Sequence, residues 1–147
     1  MTATYTCETP DDTFALGERL GADLRSGDVL LLKGGLGAGK TLLTKGIMNA
    51  LDFDIDEVTS PSFTLVNLYP APTLDVYHID LWRLDENSDV ASAVGLDEIL
   101  AGESNVVIIE WSEKLRNFSH SGRIIEISIS GDGDDPRTID IRSEPPA

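Results

Sequence analysis

A chain of 147 residues with 26 acidic and 11 basic side chains has a net charge of −15, which argues against direct nucleic-acid binding, where affinity comes mainly from cations that neutralise phosphates. That length suits one domain and leaves no room for a separate substrate domain beside a nucleotide fold. A single cysteine, Cys7, excludes an intramolecular disulfide and a cysteine zinc cluster, no run approaches the ~18 apolar residues of a membrane span, and Met1-Thr2-Ala3-Thr4-Tyr5 lacks the regions of a signal peptide, so a soluble, cytoplasmic protein is expected.

In chain order, Thr9-Pro10-Asp11-Asp12 predicts a helix start, with threonine as N-cap, proline at the first helical position and acid in the first turn. Leu16, Leu20 and Leu24 recur every four residues and give this helix a core-facing stripe, and Ser26-Gly27-Asp28 ends it. Val29-Leu30-Leu31-Leu32 is a predicted strand, followed by a helix over Leu42 to Leu51 with Leu43, Ile47 and Leu51 on one face. Gly17, Gly21 and Gly46 interrupt these helical patterns. From Val58 the chain turns to short extended pieces. Thr64 to Leu68 and Leu74 to Ile79, joined by Tyr69-Pro70-Ala71-Pro72-Thr73, read as a hairpin. A helical region from Ser88 to Leu100 follows, broken at Gly95 and restarted with Asp97 as cap. Val106-Val107-Ile108-Ile109 has the continuous apolar character of a fully buried strand. Arg123 to Ser130 and Arg137 to Ile141 flank a Gly/Asp/Pro turn as a terminal hairpin. Ser143 to Ala147 is expected to be a disordered tail behind a single domain over residues 1–142.

Gly34-Gly35-Leu36-Gly37-Ala38-Gly39-Lys40-Thr41 matches the P-loop pattern G-x-x-x-x-G-K-[ST], in the strand-to-helix setting that the pattern needs. Glycines let the backbone turn its N–H groups inward as an anion nest, and the next helix points its positive end at the same phosphates. Gly35, Leu36, Gly37, Ala38, Gly39, Lys40 and Thr41 are therefore expected to hold a nucleoside triphosphate, with Lys40 on the β- and γ-phosphates and the Thr41 hydroxyl on Mg²⁺. The alternative is a glycine-rich turn that binds nothing. The expected fold is α/β, a three-layer P-loop NTPase-like domain with a mixed parallel and antiparallel sheet.

Hydrolysis needs a second carboxylate for Mg²⁺ and a group that orients water. Glu110 closes the run Val106 to Ile109 and would emerge at the strand's carboxyl end, where open α/β sheets place ligands; otherwise it is an ordinary strand-end carboxylate. Asp80 closes Leu74 to Ile79 and shares a face with His78 at strand spacing; otherwise it caps the residues after it. His78 and Asp80 make a weak metal pair, and such a histidine is more often half-buried and hydrogen-bonded. Trp111 would stack on a base or an arginine, or simply sit at a sheet edge.

Gly34 to Thr41, Thr59-Ser60-Pro61-Ser62-Phe63-Thr64-Leu65, Tyr77-His78-Ile79-Asp80-Leu81-Trp82-Arg83, Gly95-Leu96-Asp97-Glu98 and Ile109-Glu110-Trp111 resemble, in order and spacing, the TsaE (YjeE) family, small bacterial ATPases of tRNA threonylcarbamoyladenosine modification. The likeness runs from the first helix to Trp111. It implies ATP on Gly35 to Thr41, Mg²⁺ held by Thr41 and Glu110, and Asp80 serving the attacking water beside catalytic Lys40. It also implies a switch-like loop from Ser60 to Thr64 that senses the γ-phosphate, with Trp111 near the nucleotide. The implied partners are TsaD- and TsaB-like proteins, which carry the carbamoyl transfer and contact the tRNA, so that tRNA is met only through them. Alone, the chain is expected to be monomeric and slow, with Arg83, Arg116 or a partner supplying transition-state charge. Two residues depart from the family pattern: Gly35 stands for an aspartate and Trp82 for a tyrosine. The competing classes are a small kinase, for which an acceptor domain is lacking, and an adaptor gated by ATP occupancy alone.

Overall fold

The computed structural model describes residues 2–35, 39–61, 64–82, 84, 95–112, 115, 120–131 and 133–144. Its strands are β1 (Thr2–Cys7), β2 (Val29–Lys33), β3 (Val66–Pro70), β4 (Asp75–Asp80), β5 (Asn105–Glu110), β6 (Ile124–Ser130) and β7 (Arg137–Glu144), and its helices are α1 (Pro10–Asp23), α2 (Lys40–Ala50) and α3 (Leu96–Ala101). The strands pair into one sheet in the order β1-β7-β6-β2-β5-β4-β3. β6, β2, β5 and β4 are mutually parallel, while β1, β7 and β3 add antiparallel pairs at the two sides. This is the mixed sheet the sequence predicts.

The central strands are apolar on both faces because both faces are covered. Leu30, Leu32, Val106 and Ile108 pack with Leu43 and Ile47 of α2 and Leu16 of α1. Val29, Leu31, Val107 and Ile109 pack on the other side with Leu96 of α3. Helix, sheet and helix make the three layers. In the parallel register Leu32 stands opposite Glu110, and Glu110 opposite Asp80. The carboxyl ends of β2, β5 and β4 therefore deliver the phosphate loop and both acids to one edge of the sheet.

Thr9 caps α1 as expected: its side chain accepts from the Asp12 N–H, and Asp12 accepts in return from the Thr9 N–H. The three glycines inside the helical patterns have a packing reason. A Cβ on Gly17 would overlap the Leu43 carbonyl, one on Gly21 the Ile47 carbonyl, and one on Gly46 the Phe14 carbonyl. The two helices thus meet backbone to backbone. Gly46→Ala is expected to cost about 1–3 kcal/mol of stability, since neither backbone can yield without moving a helix. Urea unfolding checks this, and an unchanged midpoint would show that the contact is looser than described.

Several expectations need correction. β1 has no counterpart in the predicted elements; it exists because Thr2–Cys7 pairs with β7, more than a hundred residues away. Ser143 and Glu144 are not a disordered tail: they extend β7 and stand opposite Ile125 and Ile124 of β6. Residues 145–147 lie outside the described residues. Tyr69 and Pro70 belong to β3 rather than to the connecting turn, and Pro70 is tolerated at the end of an edge strand. Gly95, not Asp97, is the N-cap of α3, and the earlier part of that predicted helix, 88–94, is not described.

Candidate functional site

The phosphate loop begins where β2 ends. Gly39 is the N-cap of α2 with φ 106°, a left-handed conformation that favours glycine, and the chain then enters the helix at Lys40. This turn places the first-turn residue Thr41 half-buried at the helix start. Lys40 is buried, and its Nζ donates to the Gly34 carbonyl at 2.9 Å, lies 3.6 Å from Glu110 Oε1 and sits 4.4 Å from the centroid of the Trp111 ring. Gly35 is exposed, and a Cβ there would meet nothing within 4 Å, so packing does not require the departure from aspartate. Leu36, Gly37 and Ala38 lie outside the described residues.

Glu110 is a buried carboxylate held between His78 and Lys40. Its Oε2 is 2.5 Å from His78 Nε2 and its Oε1 faces Lys40. Burial pushes the carboxyl up, but the hydrogen bond and charge of His78, followed by the charge of Lys40, outweigh burial and hold it below its ordinary value. A carboxyl whose folded value is depressed contributes stability that is fully present above its unfolded value, about 4.5, and lost as pH falls through the folded one. The difference in melting temperature between the parent chain and Glu110→Gln is therefore expected to narrow as pH is lowered below about 4.5. A difference that stays constant down to pH ~3 would show that Glu110 is not coupled to its neighbours.

Asp80 is also buried, and its Oδ1 accepts from the Trp82 N–H at 2.8 Å. That contact is the capping geometry weighed as the alternative for this residue. It coexists with a position one strand from Glu110. Trp82 and Trp111 stack with centroids 4.5 Å apart, and Trp82 remains 42% exposed, so the second departure from the family pattern builds an open aromatic pair next to Lys40. Trp111 adopts φ 61° and Leu65 φ 67°, left-handed conformations that are costly for bulky residues.

Ser60 and Thr64 are exposed, and the segment that carries them is tied down at both ends by β3. Thr64 Oγ1 donates to Asn67 Oδ1 at 2.7 Å, Asn67 Nδ2 donates to Thr59 Oγ1 at 3.3 Å, and the Tyr69 hydroxyl donates to the Thr59 carbonyl at 2.9 Å. Tyr69 in turn reaches His78 Nδ1 at 3.0 Å. His78 is fully buried rather than half-buried. Asn67 and Tyr69 were missed by the sequence reading, because their partners lie 8 to 10 residues away and no local pattern marks them.

A cleft of about 680 Å³ lies elsewhere, between α1 and the β6-β7-β1 side, and is lined mainly by apolar residues such as Tyr5, Leu16, Leu20 and Ile141. No acid or lysine of the phosphate loop edge opens into it. No group of three or more metal-ligating His, Cys, Asp or Glu side chains occurs among the described residues, and no helix among them is long and apolar enough to cross a membrane.

Fold and site together define an α/β protein with a mixed sheet in which the strand-end acid Glu110 faces Lys40 and stands in register with Asp80. A family model described as "Threonylcarbamoyl adenosine biosynthesis protein TsaE" matches residues 7–139, and the chain belongs to the TsaE family. It is 37% identical over 130 residues to the tRNA threonylcarbamoyladenosine biosynthesis protein TsaE of Bacillus subtilis, covering 88% of this chain and 78% of that one. It is 44% identical over 118 residues to the protein of the same name in Mycobacterium leprae, covering 74% and 71%. The crystal structure of Bacillus subtilis YdiB superposes with a TM-score of 0.71 at 32% identity, over 96% of this chain and 84% of that one.

Proposed function

We propose that this chain binds ATP with Mg²⁺ and hydrolyses it in the biosynthesis of tRNA threonylcarbamoyladenosine, driving turnover of a TsaD–TsaB-like complex that modifies the adenosine next to the anticodon in the cytoplasm. The observation that carries this reading is the convergence of Lys40, Glu110 and Asp80 at one sheet edge in a chain of the TsaE family.

The residues fit the cation by their chemistry: Glu110 is a carboxylate kept ionised by its neighbours, and Thr41 offers a hydroxyl in the first turn of α2. Hard oxygen donors of this kind suit Mg²⁺. Bound there, it would neutralise charge on the β- and γ-phosphate oxygens. Lys40 exchanges the Gly34 carbonyl and Glu110 for the phosphates. Gly35 to Thr41 wrap the polyphosphate. Asp80 orients the water that attacks the γ-phosphorus as ADP leaves. Ser60 and Thr64 meet the γ-phosphate from their loop, and Trp111 covers the site.

Arg83 and Arg116 lie outside the described residues, and the remaining transition-state charge comes from one of them or from a partner. The net charge of −15 leaves the tRNA to that partner as well. The test is single-turnover hydrolysis with and without the TsaD–TsaB pair, expected to differ by ~10³ or more. Equal rates reject partner activation, and absence of ATP binding rejects the whole reading. Phosphate release without an added acceptor separates hydrolysis from a kinase. Full cycling on a slowly hydrolysed analogue would favour the adaptor instead.

A further inference from the structure

We infer that His78 is a positioning residue which, braced by Tyr69, fixes the Glu110 carboxylate for the cation and ties it to the loop carrying Ser60 and Thr64. The inference rests on the role proposed above for Glu110 and adds residues to which that reading gives no part.

His78 is fully buried on an apolar stretch of the sheet. On the face of β4 and β5 that carries His78, the neighbouring side chains are Val76, Val106 and Ile108, all in the main core. Those neighbours are apolar, whereas a fully buried imidazole needs partners for its ring nitrogens. Both nitrogens have them. Nε2 holds Glu110 Oε2 at 2.5 Å and Nδ1 meets the Tyr69 hydroxyl at 3.0 Å. Tyr69 is itself buried and bound to the Thr59 carbonyl, so the ring is fixed from behind.

The consequence falls on Glu110. A carboxylate with one oxygen pinned cannot rotate, so Oε1 is the oxygen that stays turned toward Lys40. Once Lys40 moves to the phosphates, that oxygen is the one presented to a divalent cation. Partners that orient a ligand in this way are typically worth 10- to 100-fold in metal affinity. The same chain of hydrogen bonds ends at Thr59, which Asn67 connects to Thr64 at the other end of the loop.

The experiment measures the affinity of Mn²⁺, used in place of Mg²⁺, for the ATP-bound protein by electron paramagnetic resonance, and ATP binding in EDTA by fluorescence. In His78→Leu, Mn²⁺ affinity is expected to fall 10- to 100-fold while ATP affinity in EDTA stays within about threefold. His78→Gln, whose amide N–H still reaches toward Glu110, is expected to recover part of the loss. Tyr69→Phe should give a smaller loss of the same kind. A folded His78→Leu with parental Mn²⁺ affinity overturns the inference. So does an equal fall of ATP affinity in EDTA, which marks a merely structural role. If His78→Leu does not fold, His78→Gln and Tyr69→Phe decide: parental Mn²⁺ affinity in Tyr69→Phe overturns the bracing, and a selective Mn²⁺ loss supports it. Failure of the unmodified chain to bind ATP would instead strike the proposed function.

Discussion

Lys40→Ala is expected to weaken ATP binding by at least ~100-fold, because a buried ammonium aimed at polyphosphate is worth several kcal/mol when its partner is charged. Isothermal titration with ATP measures it. The variant is informative because little else should change. The Lys40 side chain contacts the Gly34 carbonyl, Glu110 and the Trp111 face, and Trp111 stays packed against the core without it. Alanine is the best helix former, so α2 keeps its start. Glu110 retains its bond to His78, and the stability cost should stay near 1–2 kcal/mol. Unchanged ATP affinity in the variant would remove the phosphate loop from the account.

Asp80→Asn is expected to lower the hydrolysis rate by ~10² to 10⁴ while ATP affinity stays within about threefold. Asparagine has the same shape, and its carbonyl oxygen can accept from the Trp82 N–H as Asp80 Oδ1 does. The backbone between β4 and Trp82 is then preserved, and only the negative charge is lost. Stopped-flow phosphate release on the prebound complex separates the step from binding. Retained hydrolysis would leave Asp80 with the capping role alone.

The strand-to-helix setting of the P-loop pattern was legible because its residues are consecutive: β2 ends at Lys33 and α2 starts at Lys40. Glu110 and Asp80 were legible because each closes an apolar run, and a strand's end is where an α/β sheet exposes its acids. What joins them was not. The bond from His78 to Glu110 spans 32 residues and depends on parallel register, which no hydrophobic pattern specifies. β1 escaped because its Thr-Ala-Thr-Tyr-Thr run lies at the side of the sheet and becomes a strand only when β7 arrives. The end of β7 escaped for a related reason: Arg142, Ser143 and Glu144 look like a polar tail until β6 supplies the ladder. Gly17, Gly21 and Gly46 looked like weak points in helices, and the close approach of α1 to α2 gives each a purpose.

The left-handed backbone at Trp111 and Leu65 bears on how the site tolerates change. A conformation of this sort costs roughly 1–2 kcal/mol per residue, and glycine would adopt it without penalty. At both places the chain carries a large side chain instead, so the torsional expense must be recovered from what those side chains touch: for Trp111, the Lys40 ammonium and the Trp82 ring. Glycine at position 111 would relieve the main chain but forfeit those contacts, whose loss is expected to outweigh the torsional gain, so heat resistance should fall rather than rise.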